Sequence, residues 1–486
     1  MQAMQNVYKK IEPFSYYGVL GCFVALSFLH LLTGYADNGD FSRSVGFIFE
    51  KPAGFSSMWP AGGTGEWGER FFSGWVDNWV FLSNWPEIRK LSSISTYKPY
   101  LLLQAGLSKL VGGQNADYSV ILGSVLSRLI LCVVFISAAY HFRRRFSSLP
   151  AWIFVALFGV VFVDSAWTAF LNSFYEEQIA IIFLPVFGFL LLRFHENKSA
   201  RTGFWLLSCA TLVGAAKTAY FYLPALSLLF LLSFLSSRKE VVKLTLVAVF
   251  FQIVALSPVY FGRYGEINSY HALYFGALKT LSEDDAASIR SVRGNPVARE
   301  CIGVSAFDPG GKECMKTLRV SYVDVAALIG SHPSVGVKML FESFNEGRVL
   351  DLVHLGKKIK NSPNFSDLPV FNFWPKIFKH GLNFFVLLVL CFSGILLIRR
   401  NGFVNEKERS VLIVGVFLAV FGFTQYLVSL GDGFYEMAKH LIVGNYALAL
   451  SLPFTFAALA SIIHRSFSSK AVLKSEGPEV IPPQNR

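Results

Sequence analysis

Two carboxylates, Asp37 and Asp40, lie in the run Tyr35-Ala36-Asp37-Asn38-Gly39-Asp40-Phe41, which follows directly on the hydrophobic stretch Phe14–Thr33. They therefore fall where an apolar helix would leave a membrane. Other polar residues recur at the ends of apolar stretches. Glu176 and Glu177 stand in Asn172-Ser173-Phe174-Tyr175-Glu176-Glu177, Lys217 interrupts Ala215-Ala216-Lys217-Thr218-Ala219-Tyr220, and Asp432, Glu436, Lys439 and His440 precede the last apolar stretch. A charge near hydrocarbon depth costs about 3 kcal/mol or more unless it is paired or hydrated, so several at one level suggest a shared wet cavity. Each could instead be a solvated loop charge or one half of a structural ion pair. Lys217 is the hardest to read that way, because its neighbours are apolar or small; it is either paired with one of the carboxylates or kept for an anion such as phosphate. Glu436, Lys439 and His440 are spaced i, i+3, i+4 and would share one face of a helix. Carboxylates beside cations at a bilayer surface suit group transfer, in which a base takes a hydroxyl proton while cations hold a departing phosphate.

The elements that must position these residues are membrane spans. The 486 residues are 53% hydrophobic and 16% aromatic, with 48 phenylalanines, and the mean hydropathy is +0.46. Such a chain is an all-α polytopic membrane protein, since backbone amides in lipid must be satisfied within each segment. Apolar stretches, several of them meeting the roughly 20 residues a helical crossing needs, occur at Phe14–Thr33, Val120–Phe142, Ala151–Phe170, Ile179–Leu192, Gly203–Thr218, Tyr220–Leu235, Leu244–Phe261, Leu382–Ile398, Val411–Leu430 and Leu441–Ile463. They predict about ten transmembrane helices.

Basic clusters fall at alternate crossings: Lys9-Lys10, Arg143-Arg144-Arg145, Arg193 with Lys198 and Arg201, Arg238-Lys239 with Lys243, Arg399-Arg400 with Lys407 and Arg409, and Arg465 with Lys470 and Lys474. By the positive-inside rule these are cytoplasmic, both termini are inside and the alternate loops face outward. The net charge of +12 is then mostly topology. Its dispersal over short loops argues against a nucleic-acid partner. Lys9-Lys10 before the first span could mark a signal peptide, but the span's length and the lack of a small-x-small cleavage site favour a retained anchor.

The chain divides into the N-terminus and first span (1–34), an outward loop (35–119), membrane helices (120–261), a large outward loop (262–379), C-terminal membrane helices (380–465) and a cytoplasmic tail (466–486). The first loop carries Trp59, Trp67, Trp75, Trp79 and Trp85 and the apolar run Tyr100–Val111, too short to span. It predicts interfacial helices, with some rings free to stack on a ligand. The second loop holds Cys301 and Cys314, a disulfide candidate if the compartment is oxidising and two free thiols if not. Their spacing is not that of a zinc site.

The layout, with an acidic loop after span one, an acidic turn between spans three and four and a large outward loop before the final spans, resembles the GT-C class of integral-membrane glycosyltransferases. Within that class Asn38-Gly39-Asp40-Phe41-Ser42-Arg43, Lys217 with Tyr220, Tyr274-Phe275-Gly276-Ala277-Leu278 and Lys439-His440-Leu441 are similar to bacterial surface-glycan hexose transferases, including the serotype-converting O-antigen glucosyltransferases. The resemblance implies a polyprenyl-phosphate-linked hexose as donor, a glycan acceptor such as O-antigen or lipopolysaccharide, an inner membrane location with a periplasmic active site, and inversion at the anomeric carbon. It implies a catalytic base at Asp40 or Asp37, and a role for Glu176 or Glu177 in orienting the acceptor or holding a metal. On this reading Lys217, Lys439, His440 and Arg43 bind the donor phosphate, with Tyr220, Asp432 and Glu436 in support. Many members of the class carry an adjacent acidic pair in the first loop, whereas Asn38-Gly39 separates the two here. No metal-ligand cluster is recognisable, although a divalent cation is used by some relatives. Two other classes stay open. An O-antigen polymerase or ligase would lean on Arg263, His271 and further arginines of the second loop. A lipid-linked-oligosaccharide flippase or transporter would place its charges near the midplane and show similar halves.

Overall fold

The computed structural model describes residues 2–29, 31, 44–50, 78–87, 94–113, 116–235, 237–261, 265–347, 373–374, 376, 382–398, 404–435 and 437–475. Asp37, Asp40, Arg43, Arg263 and Glu436 lie outside these residues.

The chain is mostly helical. The main helices are α1 (Gln2–Leu29), α2 (Tyr97–Gly112), α3 (Val120–Arg145), α4 (Ser148–Val163), α5 (Ser165–Leu171), α6 (Glu177–Asn197), α7 (Ala200–Gly214), α8 (Leu223–Leu232), α9 (Arg238–Ala255), α10 (Pro309–Thr317), α11 (Tyr322–Ser331), α12 (Pro333–Gly347), α13 (Leu382–Ile398), α14 (Glu406–Ser429), α15 (Met437–His440) and α16 (Ile442–Ser475). Two small antiparallel ladders complete the fold. In one, β1 (Asn78–Trp79) pairs with β2 (Tyr118–Ser119); in the other, β3 (Ser291–Val292) pairs with β4 (Asn295–Pro296).

Among the described residues, five helices are long and apolar enough to cross a membrane: Val120–Arg145, Glu177–Asn197, Arg238–Val259, Glu406–Asp432 and Ile442–Phe467. The pair α4–α5 makes a sixth if counted as one bent span. The protein is thus a multi-pass membrane protein, and among the described residues five or six of the expected crossings reach full length. For the stretches on either side of Lys217 the shortfall has a local reason. Lys217 takes extended backbone angles, φ −148° and ψ 149°, and Pro224 sits in the first turn of α8. The neighbouring stretches Gly203–Thr218 and Tyr220–Leu235 are therefore two separate helices, α7 and α8, joined by a single 3₁₀ turn, each shorter than the roughly 20 residues of a straight crossing.

The bend between α4 and α5, 54°, has an identifiable cause. Asp164 is buried and caps α5, its Oδ1 accepting from the Ala166 amide at 2.8 Å. Its Oδ2 accepts from the amides of Phe373 and Trp374 at 2.8 and 2.9 Å. Cap geometry replaces helical geometry at that residue, and the axis turns.

The centre of the bundle is the α14–α16 hairpin, packed closely along its length. A Cβ added at Gly422 would lie 2.8 Å from the Gly444 carbonyl oxygen, so the two backbones meet where neither residue has a side chain, the small-residue contact favoured between helices in lipid. At the other extreme, α9 is largely exposed along its apolar stretch, as suits a face turned to lipid. A second, smaller core lies between residues 270 and 339, built on Tyr270, Leu273, Tyr274, Leu328, Val335 and Met339. A disulfide joins Cys301 to Cys314 within it. The hairpin β3–β4 turns through Arg293 and Gly294, both at positive φ (54° and 83°), the twist a two-residue hairpin requires.

Candidate functional site

The turn leading into α6 is built by a buried arginine. Arg128, in the middle of α3, is fully buried, and a charge there is tolerated only if every donor is engaged. Its Nε donates to the Ser27 carbonyl at 2.8 Å, its Nη1 to Asn172 Oδ1 at 2.8 Å and to Ser124 Oγ, and its Nη2 to the Thr168 carbonyl at 3.5 Å. Asn172 in turn donates to the Leu31 carbonyl at 3.3 Å. The end of the first apolar helix, the middle of α3 and residues 172–176 are thus fastened together, and the fastening presents Glu177 at the first position of α6.

Glu177 is 1% exposed. Its Oε1 accepts from Lys217 Nζ at 2.5 Å, and Lys439 lies close enough to act on the same carboxylate electrostatically. Lys439 is itself buried, its Nζ 5.8 Å from the centre of the Tyr175 ring. Tyr220, three residues after Lys217, is buried beside the pair. Above them runs the start of α2. Ser95 Oγ donates to the Ala216 carbonyl at 2.6 Å, Thr96 Oγ1 to the Leu212 carbonyl at 2.5 Å and the Thr96 amide to the Ala215 carbonyl at 3.0 Å. These bonds satisfy carbonyls that the end of α7 leaves open and hold the backbone from which Lys217 projects. Lys98 is buried in the same segment and donates to the Ser44 carbonyl at 3.0 Å.

A second cluster follows on the same stretch of chain. Asp432, at the end of the α14 span, lies between two imidazoles: His271 Nδ1 is 3.0 Å from its Oδ1 and His440 Nε2 is 3.1 Å from its Oδ2. His271 Nε2 accepts from the Ala306 amide at 2.9 Å. Its proton is therefore on Nδ1, donated to Asp432, and both ring nitrogens are occupied. The His440 contact approaches off the hydrogen-bond line and acts as an ion pair when that ring is protonated. Tyr435 stacks on His271 at 4.8 Å between ring centres. Gly433 makes the approach possible: at φ +58° a Cβ there would lie 2.4 Å from the His271 carbonyl oxygen. Tyr322 Oη adds a bond to the Gly431 carbonyl at 3.1 Å.

Glu177, Lys217, Tyr220 and Lys439 therefore come together, and Asp432 meets His440. Lys439 acts on Glu177 while the next residue, His440, pairs with Asp432; both stand on the single helical turn Met437–His440. Glu176 precedes α6 and is partly exposed. Asp37, Asp40, Arg43 and Glu436 are outside the described residues. Among the described residues no group of three His, Cys, Asp or Glu side chains is arranged to hold a metal ion. Lys98, Arg128 and Asp164 went unremarked in the sequence, although a charge inside an apolar run was the signal for the last two. His271 figured there only among the loop residues of a polymerase or ligase.

Residues 2–477 match the family described as the YfdI N-terminal transmembrane domain. The uncharacterized protein YfdI of Escherichia coli (strain K12) is 26% identical over 349 residues, covering 67% of this chain and 74% of that protein. Among solved structures the chain is similar, at 12% identity and a TM-score of 0.37, to the archaeal oligosaccharyltransferase AglB from Archaeoglobus fulgidus, in complex with an inhibitory peptide and a dolichol-phosphate; the overlap covers 98% of this chain. The chain spans about half the length of that enzyme, 53%, and the overlap is too loose to transfer an activity from it.

Proposed function

We propose that this chain, which belongs to the YfdI N-terminal transmembrane domain family, is a membrane glycosyltransferase that moves a hexose from a polyprenyl phosphate to a hydroxyl of a surface glycan. The observation that carries the reading is the buried carboxylate Glu177 flanked by Lys217 and Lys439 at the end of a membrane span, with the Asp432–His440 pair following one residue beyond Lys439. An excess of cationic groups around one acid at the mouth of a bundle suits a phosphate arriving on a lipid.

On this reading Lys217 and Lys439 hold the donor phosphate, supported by His440 and by Arg43. Asp40, nine residues beyond Leu31, is the base, with Asp37 the other candidate. Its carboxylate takes the proton of the acceptor hydroxyl as that oxygen attacks the anomeric carbon. The bond from that carbon to the phosphate oxygen breaks, and the phosphate leaves into the lysines. Glu177 positions Lys217, while Glu176, Tyr220, Asp432 and Glu436 support the pocket. The basic loop clusters put this face in the periplasm of a bacterial inner membrane by the positive-inside rule, with O-antigen or lipopolysaccharide as acceptor. A polymerase or ligase leaning on His271 fits less well, because both nitrogens of that ring are engaged.

The test is consumption of labelled polyprenyl-phosphate hexose by membranes holding the protein. Wild type consumes donor; Lys217→Met and Asp40→Asn, expressed and inserted at normal level, do not. Normal consumption by both Asp37→Asn and Asp40→Asn would remove the proposed base.

A further inference from the structure

Glu177 and Asn197 stand at the two ends of α6, a span of 21 residues, so whatever gathers at Asn197 lies roughly 30 Å from Glu177, across the bilayer from the site above. What gathers there is a cavity of about 560 Å³ between the end of α6 and the start of α14, lined by Arg145, His195, Glu196, Lys198, Lys407 and Ser410 among others.

Its charges are unevenly compensated. Glu196 accepts from His141 at 2.9 Å and has Arg145 and Arg193 at 3.6 and 3.7 Å. Lys198 and Lys407 are exposed, and among the described residues neither has an ion pair. Against them stands Glu406, in the first turn of α14, whose helix N-terminus adds its own positive potential. The independent observation is His195. That ring is 6% exposed and lines the cavity. Ser410 Oγ donates to the Glu406 carbonyl at 2.8 Å, so its only proton is spent. The 2.7 Å contact between His195 Nδ1 and Ser410 Oγ must then be a donation from the ring. Nε2 is left as a lone pair with no partner among the described residues; it is open to the cavity and can accept from a donor placed there.

We propose that this cavity binds a phosphate-bearing headgroup: the phosphate held by Lys198 and Lys407 with Arg145 beside them, and a hydroxyl or ammonium group of the same molecule donating to His195 Nε2. The chemistry is that of a glycerophospholipid headgroup reached from the membrane surface, or of a soluble phosphate ester. Lys198 also offers an unusual test. It ends α6 in the left-handed region at φ 48°, where glycine is the unstrained choice. Lys198→Gly therefore keeps or raises stability while removing a ligand.

Full-length protein in neutral detergent is titrated calorimetrically with dihexanoyl phosphatidylglycerol, dihexanoyl phosphatidylcholine and inorganic phosphate, with melting followed in parallel. Phosphatidylglycerol, which has both phosphate and hydroxyls, binds wild type. Lys198→Gly with Lys407→Ala weakens it about 25-fold without lowering the melting temperature of the free protein. His195→Gln weakens it about fivefold, and phosphatidylcholine, which lacks a donor, binds more weakly than phosphatidylglycerol. Inorganic phosphate binding as well as the lipid would support the site and identify a soluble anion as its occupant. Absence of binding by both phosphatidylglycerol and phosphate, or equal affinity in wild type and the double variant, would overturn the proposal.

Discussion

Removing Lys217 alone and removing it together with Glu177 should separate stability from activity. At 2.5 Å the two charges attract by roughly 7 kcal/mol at an effective dielectric constant near 20. Burying Glu177 at 1% exposure and Lys217 with its side chain at 12% costs several kcal/mol per ion, so the intact pair is close to break-even. Lys217→Met leaves the cost of burying Glu177 and loses the attraction. Breaking a buried pair in this way costs about 3–5 kcal/mol, and Lys439 nearby should hold the loss to the lower end. Adding Glu177→Gln removes the stranded charge and restores at least half of that stability. If Lys217 exists to receive a phosphate, transfer activity stays lost in the double variant. The assay is thermal unfolding in detergent beside labelled-donor consumption in membranes, on the four proteins of the cycle. Activity that returns together with stability would show that the lysine only neutralises Glu177, and the proposed phosphate site would be wrong.

Gly433→Ala should damage the contact between the 270–339 core and the end of the α14 span. A Cβ at φ +58° and 2.4 Å from the His271 carbonyl oxygen cannot be accommodated without moving the turn; a loss above about 1 kcal/mol and faster amide exchange over residues 271–277 are expected. Asp324 caps α11 with Ser321 and faces Arg293 at 3.4 Å. Burial pushes its carboxyl up, but the Ser321 hydrogen bonds and the Arg293 charge more than offset this and hold it below the ordinary aspartate value. Its contribution is therefore fully present above the unfolded value near 4 and is lost as pH falls through the depressed native one. Amide exchange in α11 should rise over that acid range in wild type, whereas Asp324→Asn should show the rise already at neutral pH. Arg128→Met should cost about 2–4 kcal/mol, because it strands buried acceptors on α1, α3 and residues 168–172; a melting temperature unchanged from wild type would contradict the packing described here.

The membrane character of the chain was legible because about 20 consecutive apolar residues have few other uses. The bend inside the Ala151–Phe170 stretch was not, since hydropathy sums through Asp164 while backbone geometry breaks there. The meeting of Glu177 with Lys217 was foreseeable in kind, because a lysine in an apolar run needs a counter-ion, though nothing in the spacing said which of the carboxylates supplies it. Lys439 and His440 stand on one helical turn, and nothing in their spacing says that the first acts on Glu177 and the second on Asp432. Sequence distance hid the role of His271: its partner is Asp432, 161 positions away, and only the fold brings the two together.

The carboxylate at the α4–α5 bend has a bearing on how the protein is made. One oxygen of Asp164 finds its donor two residues away, whereas the other is filled by amides 209 and 210 positions further along the chain. A ribosome takes roughly 10–40 s to add that length. Throughout that interval the nascent N-terminal half sits in the bilayer with a half-satisfied acid at the joint of a bent helix. Biogenesis of the bundle is thus concluded from its downstream half, and chains truncated before residue 373 should be preferred clients of membrane quality control.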